Sequence, residues 1–328
     1  MIISKTPLRA SFFGGGTDFE AYFKNSKIGY GSVVSTALDM YVYITVNKKF
    51  DDKIRVVYSG NELVDHVDEV KHNIIREALK ITGIEKGIEV IYMADIPLSG
   101  AGIGLASSSA LTVGVLHALY AYKGEFVTPE ILARQACEIE INILGQRIGI
   151  QDQFAVAYGG LSQYKFYNDG TVGVFPVYAK KETMDSLKDS FLMFYTGTTR
   201  DSKRILDEQS DTITDKTAML DDLTRTADNA IIQLHCDNPD FWGTELDRTW
   251  QIKKQFAQGV SNPVIDGMYK KGMDAGALGG KVLGAGGGGF VLFYVPKEKQ
   301  EAVKTALSDH MCIKMNCCPE GTKIIFCN

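Results

Sequence analysis

Residues 97–110 read Pro97-Leu-Ser-Gly-Ala-Gly-Ile-Gly-Leu-Ala-Ser-Ser-Ser-Ala110. Upstream, Ile88–Met93 has the β-branched, alternating character of a strand. Downstream, Ser107–Tyr122 places Leu111, Val115, Leu116 and Leu119 on one side of a helix. The stretch therefore joins a strand to a helix through small residues, leaving backbone N–H groups exposed beside a helix N-terminus. That arrangement favours an anion, because the orphan donors and the helix dipole act in the same direction. Ser107, Ser108 and Ser109 add hydroxyls for a phosphate or a metal ion. No Gly-Lys-Ser/Thr follows, so it is not a Walker A loop. A plain glycine-rich turn capped by Ser107 is the competing reading.

Glycine is the compositional oddity that surrounds this loop. The chain has 33 glycines in 328 residues, about 10% against a usual ~7%. Three clusters stand out: Gly14–Gly16, then Gly100, Gly102 and Gly104, then Gly284 with Gly286–Gly289. Clustered glycine marks places where backbone approaches something closely or takes positive φ. The run Gly284–Gly289 formally contains GxGxxG, but Phe290–Val295 after it reads as a strand, whereas a dinucleotide fingerprint opens a helix. It is read as a loop supporting a nucleotide site or as a tight helix-to-strand turn.

The rest of the chain is ordinary globular sequence, 45% apolar and 23% charged, with a net charge of −5. No basic block suggests nucleic acid. No apolar run is long enough for a membrane helix or a signal peptide, so the expectation is a cytoplasmic protein. Strands are expected at Ile2–Ser4, Leu8–Phe13, Ser32–Thr36, Met40–Val46 and Ile54–Tyr58, and a helix over Val67–Thr82 ends near Gly83. Thr128 and Pro129 open another helix with Leu132, Ala136, Ile139 and Ile143 as its stripe. Later helices cover about 201–210, 214–236 and 243–258, and the chain finishes strand–helix–strand at 289–295, 297–309 and 322–326. The fold class is α+β, with two domains expected at 1–185 and 186–328.

Two further groups carry chemistry. Thr6–Asp18 leads Arg9 from a strand into glycines and then Asp18, which alone could be a salt-bridged turn. Glu140 lies on a helix, and Gly149-Ile-Gln-Asp-Gln153 follows. A hydroxyl nucleophile needs a carboxylate nearby, and Mg²⁺ needs a hard oxygen ligand, so Glu140 and Asp152 could divide those tasks.

In combination and order, these signals resemble the GHMP kinases across essentially the whole chain. The family's first motif, APGRxNLxGEHxDY, corresponds to Thr6–Phe19, its second, PxGxGLGSSA, to Pro97–Ala110, and its third to the glycine run. Glu140, Gly145 and Gly149–Gln153 match the galactokinase-like Glu, Gly, GxxDQ pattern. The resemblance implies a two-domain fold, with an N-terminal mixed-sheet nucleotide-binding domain and a C-terminal ferredoxin-like domain. It implies ATP along Gly100, Ala101, Gly102, Ile103, Gly104, Leu105, Ala106, Ser107, Ser108 and Ser109. Mg²⁺ would be held by Ser108 and Glu140, and Gly284, Gly286, Gly287 and Gly288 would support the loop. Asp152 aligns with the catalytic base and Arg9 with the basic residue that keeps it ionised. Gly14, Gly15, Gly16, Thr17 and Asp18 align with the sugar-binding segment.

Where galactokinase-like members carry Glu-His, this chain has Gly15-Gly16. That variant, with Ser107–Ser109 and Tyr195–Arg200, is similar to the branch phosphorylating the anomeric hydroxyl of D-glycero-D-manno-heptose 7-phosphate, for nucleotide-activated heptose and surface polysaccharide. Cations for a substrate phosphate are sought in Thr198, Thr199, Arg200 and Lys203, which equally read as a solvated helix start; Lys5 and Lys281 are weaker candidates. The adenine pocket is placed near Tyr58–Glu62. Cys312, Cys317, Cys318 and Cys327 lack CxxC spacing and read as reduced thiols rather than a zinc site. His117, Trp242 and Trp250 read as packing residues. The competing functions are a kinase for an unphosphorylated fucose- or galactose-like sugar, a catalytically silent sugar sensor, and a nicotinamide dehydrogenase. The sequence leaves the oligomeric state open.

Overall fold

The computed structural model describes residues 1–96, 103–197 and 202–328. Residues 97–102 and 198–201, including Gly100, Ala101, Gly102, Thr198 and Arg200, lie outside the described residues.

The strands are β1 (Ile2–Phe13), β2 (Tyr30–Lys48), β3 (Ile54–Val57), β4 (Asn61–Val64), β5 (Ile88–Ala94), β6 (Leu161–Tyr167), β7 (Val172–Pro176), β8 (Phe191–Tyr195), β9 (Gly279–Val282), β10 (Phe290–Tyr294), β11 (Cys312–Lys314) and β12 (Lys323–Cys327). Eight form one mixed sheet in the order β12-β1-β2-β5-β3-β4, with β6 and β7 continuing from β2. The other four form an antiparallel sheet in the order β11-β8-β10-β9. In chain order that second sheet runs 4-1-3-2, the ferredoxin-like arrangement implied by the resemblance. Helices Ser202–Thr212, Thr217–His235, Asp240–Lys253 and Pro263–Asp274 are inserted between its first two strands. The last strand, β12, returns to pair with β1, so one cut at 185/186 does not separate the two sheets.

Several elements are longer or shorter than their sequence signals. Strands 2–4 and 8–13 form one strand, whose pairing with β2 shifts register between Pro7 and Leu8 and again between Ser11 and Phe13; at the first shift proline has no N–H to donate. The expected helix from Val67 is a single turn, Val67–Glu69, followed by helix Asn73–Thr82, which Gly83 ends at φ 68°. Strands β4, β6, β7, β9 and β11 and helix Pro263–Asp274 carried no expectation.

Helix Ser107–Lys123 is buried along most of its length and packs on β1 and β2. It is apolar on nearly every face because it is covered on nearly every face. Gly114 permits the close approach: a Cβ there would lie 2.8 Å from the Thr6 hydroxyl, and Ser4 Oγ donates to the Gly114 carbonyl at 2.8 Å. Contrary to the capping alternative, Ser107 is the first helical residue, and Ala106 precedes it at φ 61° with no side-chain cap.

An aromatic cluster locks the two sheets together. Phe12 and Phe13 at the end of β1 meet Trp242 edge-on at 5.1 Å, and Phe12 meets Phe191 of β8 at 4.9 Å. Trp242 is fully buried and donates to the Ala230 carbonyl at 3.0 Å. Trp250 is fully buried and His117 is packed against Thr322, with burial lowering its pKa to about 4. Replacing a fully enclosed Trp removes transfer energy and leaves a cavity. Trp242→Ala is therefore expected to lower the unfolding free energy by about 3–5 kcal/mol in a urea titration. A loss below about 1 kcal/mol would mean that the sheets are not joined through this cluster.

Candidate active site

Arg9 faces the cleft between the two sheets, three residues before Phe12 turns into the junction. Its guanidinium makes a bidentate pair with Asp152: Nε donates to Oδ1 and Nη2 to Oδ2, both at 2.7 Å. Nη1 donates to the Gly104 carbonyl at 2.7 Å. Arg9 is 4% exposed, so this planar fork works where water does not screen it. Arg9 thus pairs with Asp152 and not with Asp18, which excludes the simple salt-bridged turn. Asp152 stands in the first turn of helix Gln151–Tyr158, where a carboxylate suits the helix dipole.

Asp18 is buried beside it. Gly16 N–H donates to Oδ1 at 3.0 Å and Gln151 N–H to Oδ2 at 3.1 Å. Burial, and after it the charge of Asp152, pushes the Asp18 carboxyl above the ordinary carboxylate range; the backbone donors oppose this. Gly149 makes the approach possible, since a Cβ there would fall 2.0 Å from Asp18 Oδ2. Glu140 is also fully buried and accepts from Ser108 Oγ at 2.5 Å, Ser109 Oγ at 2.9 Å and Gln153 Nε2 at 2.6 Å. Its pKa is raised by burial, with those three donors opposing. The helix carrying it widens into a π-turn over Glu138–Ile143, a feature often found at functional sites.

The third glycine cluster is the loop of the β9–β10 hairpin, so it is neither a helix-to-strand turn nor a dinucleotide fingerprint. It packs backbone to backbone on the loop before helix Ser107–Lys123. A Cβ on Gly104 would lie 2.3 Å from the Leu283 carbonyl, one on Gly284 would lie 2.5 Å from Gly104 Cα, and one on Gly289 would lie 2.3 Å from the Ile103 carbonyl. All three have positive φ.

The structure sorts the expected site residues. Arg9, Gly15, Gly16, Asp18, Gly104, Ala106–Ser109, Glu140, Asp152, Gly284, Gly286 and Gly288 share the cleft wall. Ile103 and Leu105 are core residues. Thr17 is buried, its hydroxyl bonded both ways to the Ser32 backbone at 3.0 Å, and Gly14 packs against the same carbonyl. Neither Gly14, Thr17 nor Gly287 reaches the cleft. Lys203 is exposed, one turn before Leu206, which does line it. Lys5 is elsewhere, 3.5 Å over the Tyr41 ring. Glu62 accepts from Tyr58 and from the Lys71 and His72 backbone and is not part of the cleft.

Sequence reading missed Lys253, Ser11 and Gln151. Lys253 ends helix Asp240–Lys253, and its ammonium donates to the Gly284 carbonyl. Lys281 of β9 also reaches the cleft and donates to the Phe12 carbonyl at 2.9 Å. Ser11 Oγ and Gln151 Oε1 are buried on the cleft wall with no partner among the described residues. Nothing local in Trp250-Gln-Ile-Lys-Lys254 distinguishes Lys253; only its placement does.

Two family models match, the GHMP kinases N terminal domain over residues 67–160 and the GHMP kinases C terminal over residues 240–311. The chain is 30% identical over 319 residues, 92% of each chain, to a D-glycero-alpha-D-manno-heptose 7-phosphate kinase of Campylobacter jejuni. The chain belongs to the GHMP kinases. It is accordingly an enzyme, an ATP-dependent sugar phosphotransferase of that family. A galactokinase of Pyrococcus furiosus is 27% identical, covering 93% of this chain and 92% of its own. A crystal structure described as a D-glycero-D-manno-heptose 1-phosphate kinase of Bacteroides thetaiotaomicron superposes over 100% of both chains with a TM-score of 0.81 at 22% identity, which shows the shared fold. Among the described residues no helix is long and apolar enough to cross a membrane.

Burial, and then repulsion from Arg9, lowers the Lys253 pKa to about 8, while Asp18 and Asp152 oppose the shift. Lys281 also faces this group, and burial followed by repulsion from Lys253 and Arg9 lowers its own pKa far below the usual range. A lysine with a lowered pKa keeps its proton below about pH 8 and is a neutral amine above it. Acylation of Lys253 by an amine-selective reagent, followed by peptide mass spectrometry, is expected to rise with a midpoint near pH 8. Exposed Lys181, whose pKa is raised by its hydrogen bond to Asp185, should rise only at distinctly higher pH. Coincident midpoints would contradict this.

Proposed function

We propose that the chain phosphorylates the anomeric hydroxyl of D-glycero-D-manno-heptose 7-phosphate with ATP, giving the 1,7-bisphosphate. The observation that carries this reading is Asp152, fixed by Arg9 at the phosphate-loop end of the cleft, beside Gly15-Gly16 where galactokinase-like members carry Glu-His. Identity with the Campylobacter jejuni enzyme along nearly its whole length supports the same acceptor. In this reading residues 1–185 carry the phosphate loop and residues 186–328 close the cleft over it.

Phosphoryl transfer rests on positioning and charge neutralisation. ATP would set its phosphates at Gly104 and the start of helix Ser107–Lys123, where unpaired N–H groups and serine hydroxyls converge. The Gly284–Gly288 loop braces that surface. Asp152 would receive the acceptor's proton, and Arg9 holds its carboxylate in place. Asp18, with the Gly15-Gly16 backbone, would orient sugar hydroxyls. A 7-phosphate would be received by Thr198, Arg200 and Lys203, the last of them one turn before the cleft-lining Leu206.

The donor set at Glu140 and Ser108 fits Mg²⁺, which binds through one or two carboxylates while phosphate oxygens and water complete its shell. Glu140 supplies the charge, Ser108 a hard hydroxyl 2.5 Å away, and Gln153 and Ser109 fix the carboxylate. When bound, the ion would neutralise phosphate charge.

ADP release with Mg·ATP is to be measured against heptose 7-phosphate, mannose 6-phosphate, fucose, galactose and mannose. Turnover is expected with heptose 7-phosphate alone and should fall about 10²–10⁴-fold in Asp152→Asn. Preference for a free sugar would discard the 7-phosphate acceptor, and an unimpaired Asp152→Asn would discard the base.

A further inference from the structure

Arg9 is already committed. Its Nε and Nη2 hold Asp152 and its Nη1 holds the Gly104 carbonyl, so three of its five N–H donors are engaged and its charge is already paired with a carboxylate. The charge that moves during transfer needs another cation. Lys253 meets the geometric requirements. It comes from the other side of the cleft, and its ammonium is tied to the Gly284 carbonyl. Gly284 in turn sits against Gly104, at the loop whose carbonyl Arg9 holds. An ammonium has three donors, and the Gly284 carbonyl takes one of them. Lys281, whose Nζ donates to the Phe12 carbonyl, stands behind it as a second buried amine.

We propose that Lys253 is a catalytic residue, whose ammonium contacts the phosphoryl group as it passes from ATP to the acceptor. The inference rests on the kinase reading above but not on the identity of the acceptor. In the transfer, the acceptor oxygen bonds to the γ-phosphorus and the bond from that phosphorus to the β–γ bridging oxygen breaks. The electron pair leaves with ADP, and the hydroxyl proton passes to Asp152. Negative charge on the three equatorial oxygens lies between the start of helix Ser107–Lys123 and Lys253. Because the two groups lie on helices packed against different sheets, the cation is in place only when the cleft walls are in register. Asp18, Asp152, Arg9 and Lys281 are the other charged groups facing it.

Full-length Lys253→Met and Lys253→Arg test this. Removing a desolvated ammonium in favour of an apolar side chain of similar length should not lower the melting temperature, and ADP binding alone should stay within about threefold. In Lys253→Met, kcat is expected to fall about 10²–10³-fold. The factor should be the same for phosphorylated and free-sugar acceptors, with acceptor KM nearly unchanged and part of kcat regained in Lys253→Arg. A second readout needs no acceptor: the tighter binding of ADP with aluminium fluoride than of ADP alone should be present in the wild type and lost in Lys253→Met. An unchanged kcat, or a KM rise confined to phosphorylated acceptors, would overturn the proposal; the latter would place Lys253 on the acceptor's phosphate. If the wild type prefers a free sugar, the heptose phosphate reading falls and the kcat comparison on that sugar still decides Lys253. If it turns over no sugar, the fluoride titration decides it.

Discussion

The Arg9 guanidinium ties together three segments that are far apart in the chain. It starts from β1, grips Asp152 in the first turn of a helix 143 residues later, and holds the carbonyl of Gly104 in the loop that opens the central helix. Its own backbone N–H donates to Leu105 at 3.1 Å. The contacts continue outward. Gly104 has no side chain, so the Gly284 loop of the second sheet can lie against it, and the Gly284 carbonyl receives Lys253. One continuous path thus runs Asp152–Arg9–Gly104–Gly284–Lys253 across both sheets. A side chain at either glycine would separate the two walls and break it.

This arrangement is costly to the empty protein. Arg9, Asp18, Glu140, Lys253 and Lys281 are charged or titratable groups withdrawn from water, and the raised carboxyl and lowered ammonium pKa values express that cost. The aromatic junction and the extensive apolar core offset it. Such a site exists only in the folded chain, so anionic ligands that satisfy its cations stabilise the fold by mass action. Backbone contacts, rather than flexible side chains, hold the loops together, which suits a reaction that depends on fixed distances.

The sequence showed most where glycine and periodicity carried the information. The strand–loop–helix around Ser107 and the order of the glycine clusters pointed to the family, and Glu140, Asp152, Arg9 and Asp18 do converge on one cleft. Short edge strands such as β9 and β11 were invisible, because three or four residues establish no period. The split of β1 at Pro7 was misread because a bulge within a long strand has the same local signature as a turn. Thr17, Gly14, Ile103 and Leu105 lie in the motifs but face the core or brace the backbone; a motif records both kinds of residue alike. Lys253 shows the opposite failure. It is one of two adjacent lysines at a helix end, and only the tertiary path through Gly284 gives it a role.

In the proposed transfer the phosphoryl group sits between the start of helix Ser107–Lys123 and Lys253, with the acceptor hydroxyl at Asp152. A crystal structure with a non-hydrolysable ATP analogue and heptose 7-phosphate decides this. The γ-phosphate is expected within hydrogen-bond reach of both the Lys253 ammonium and the backbone at Ser107–Ser109, and the anomeric oxygen within about 3 Å of an Asp152 carboxylate oxygen. A γ-phosphate held away from Lys253, or an anomeric hydroxyl turned from Asp152 with another sugar oxygen in its place, would contradict it.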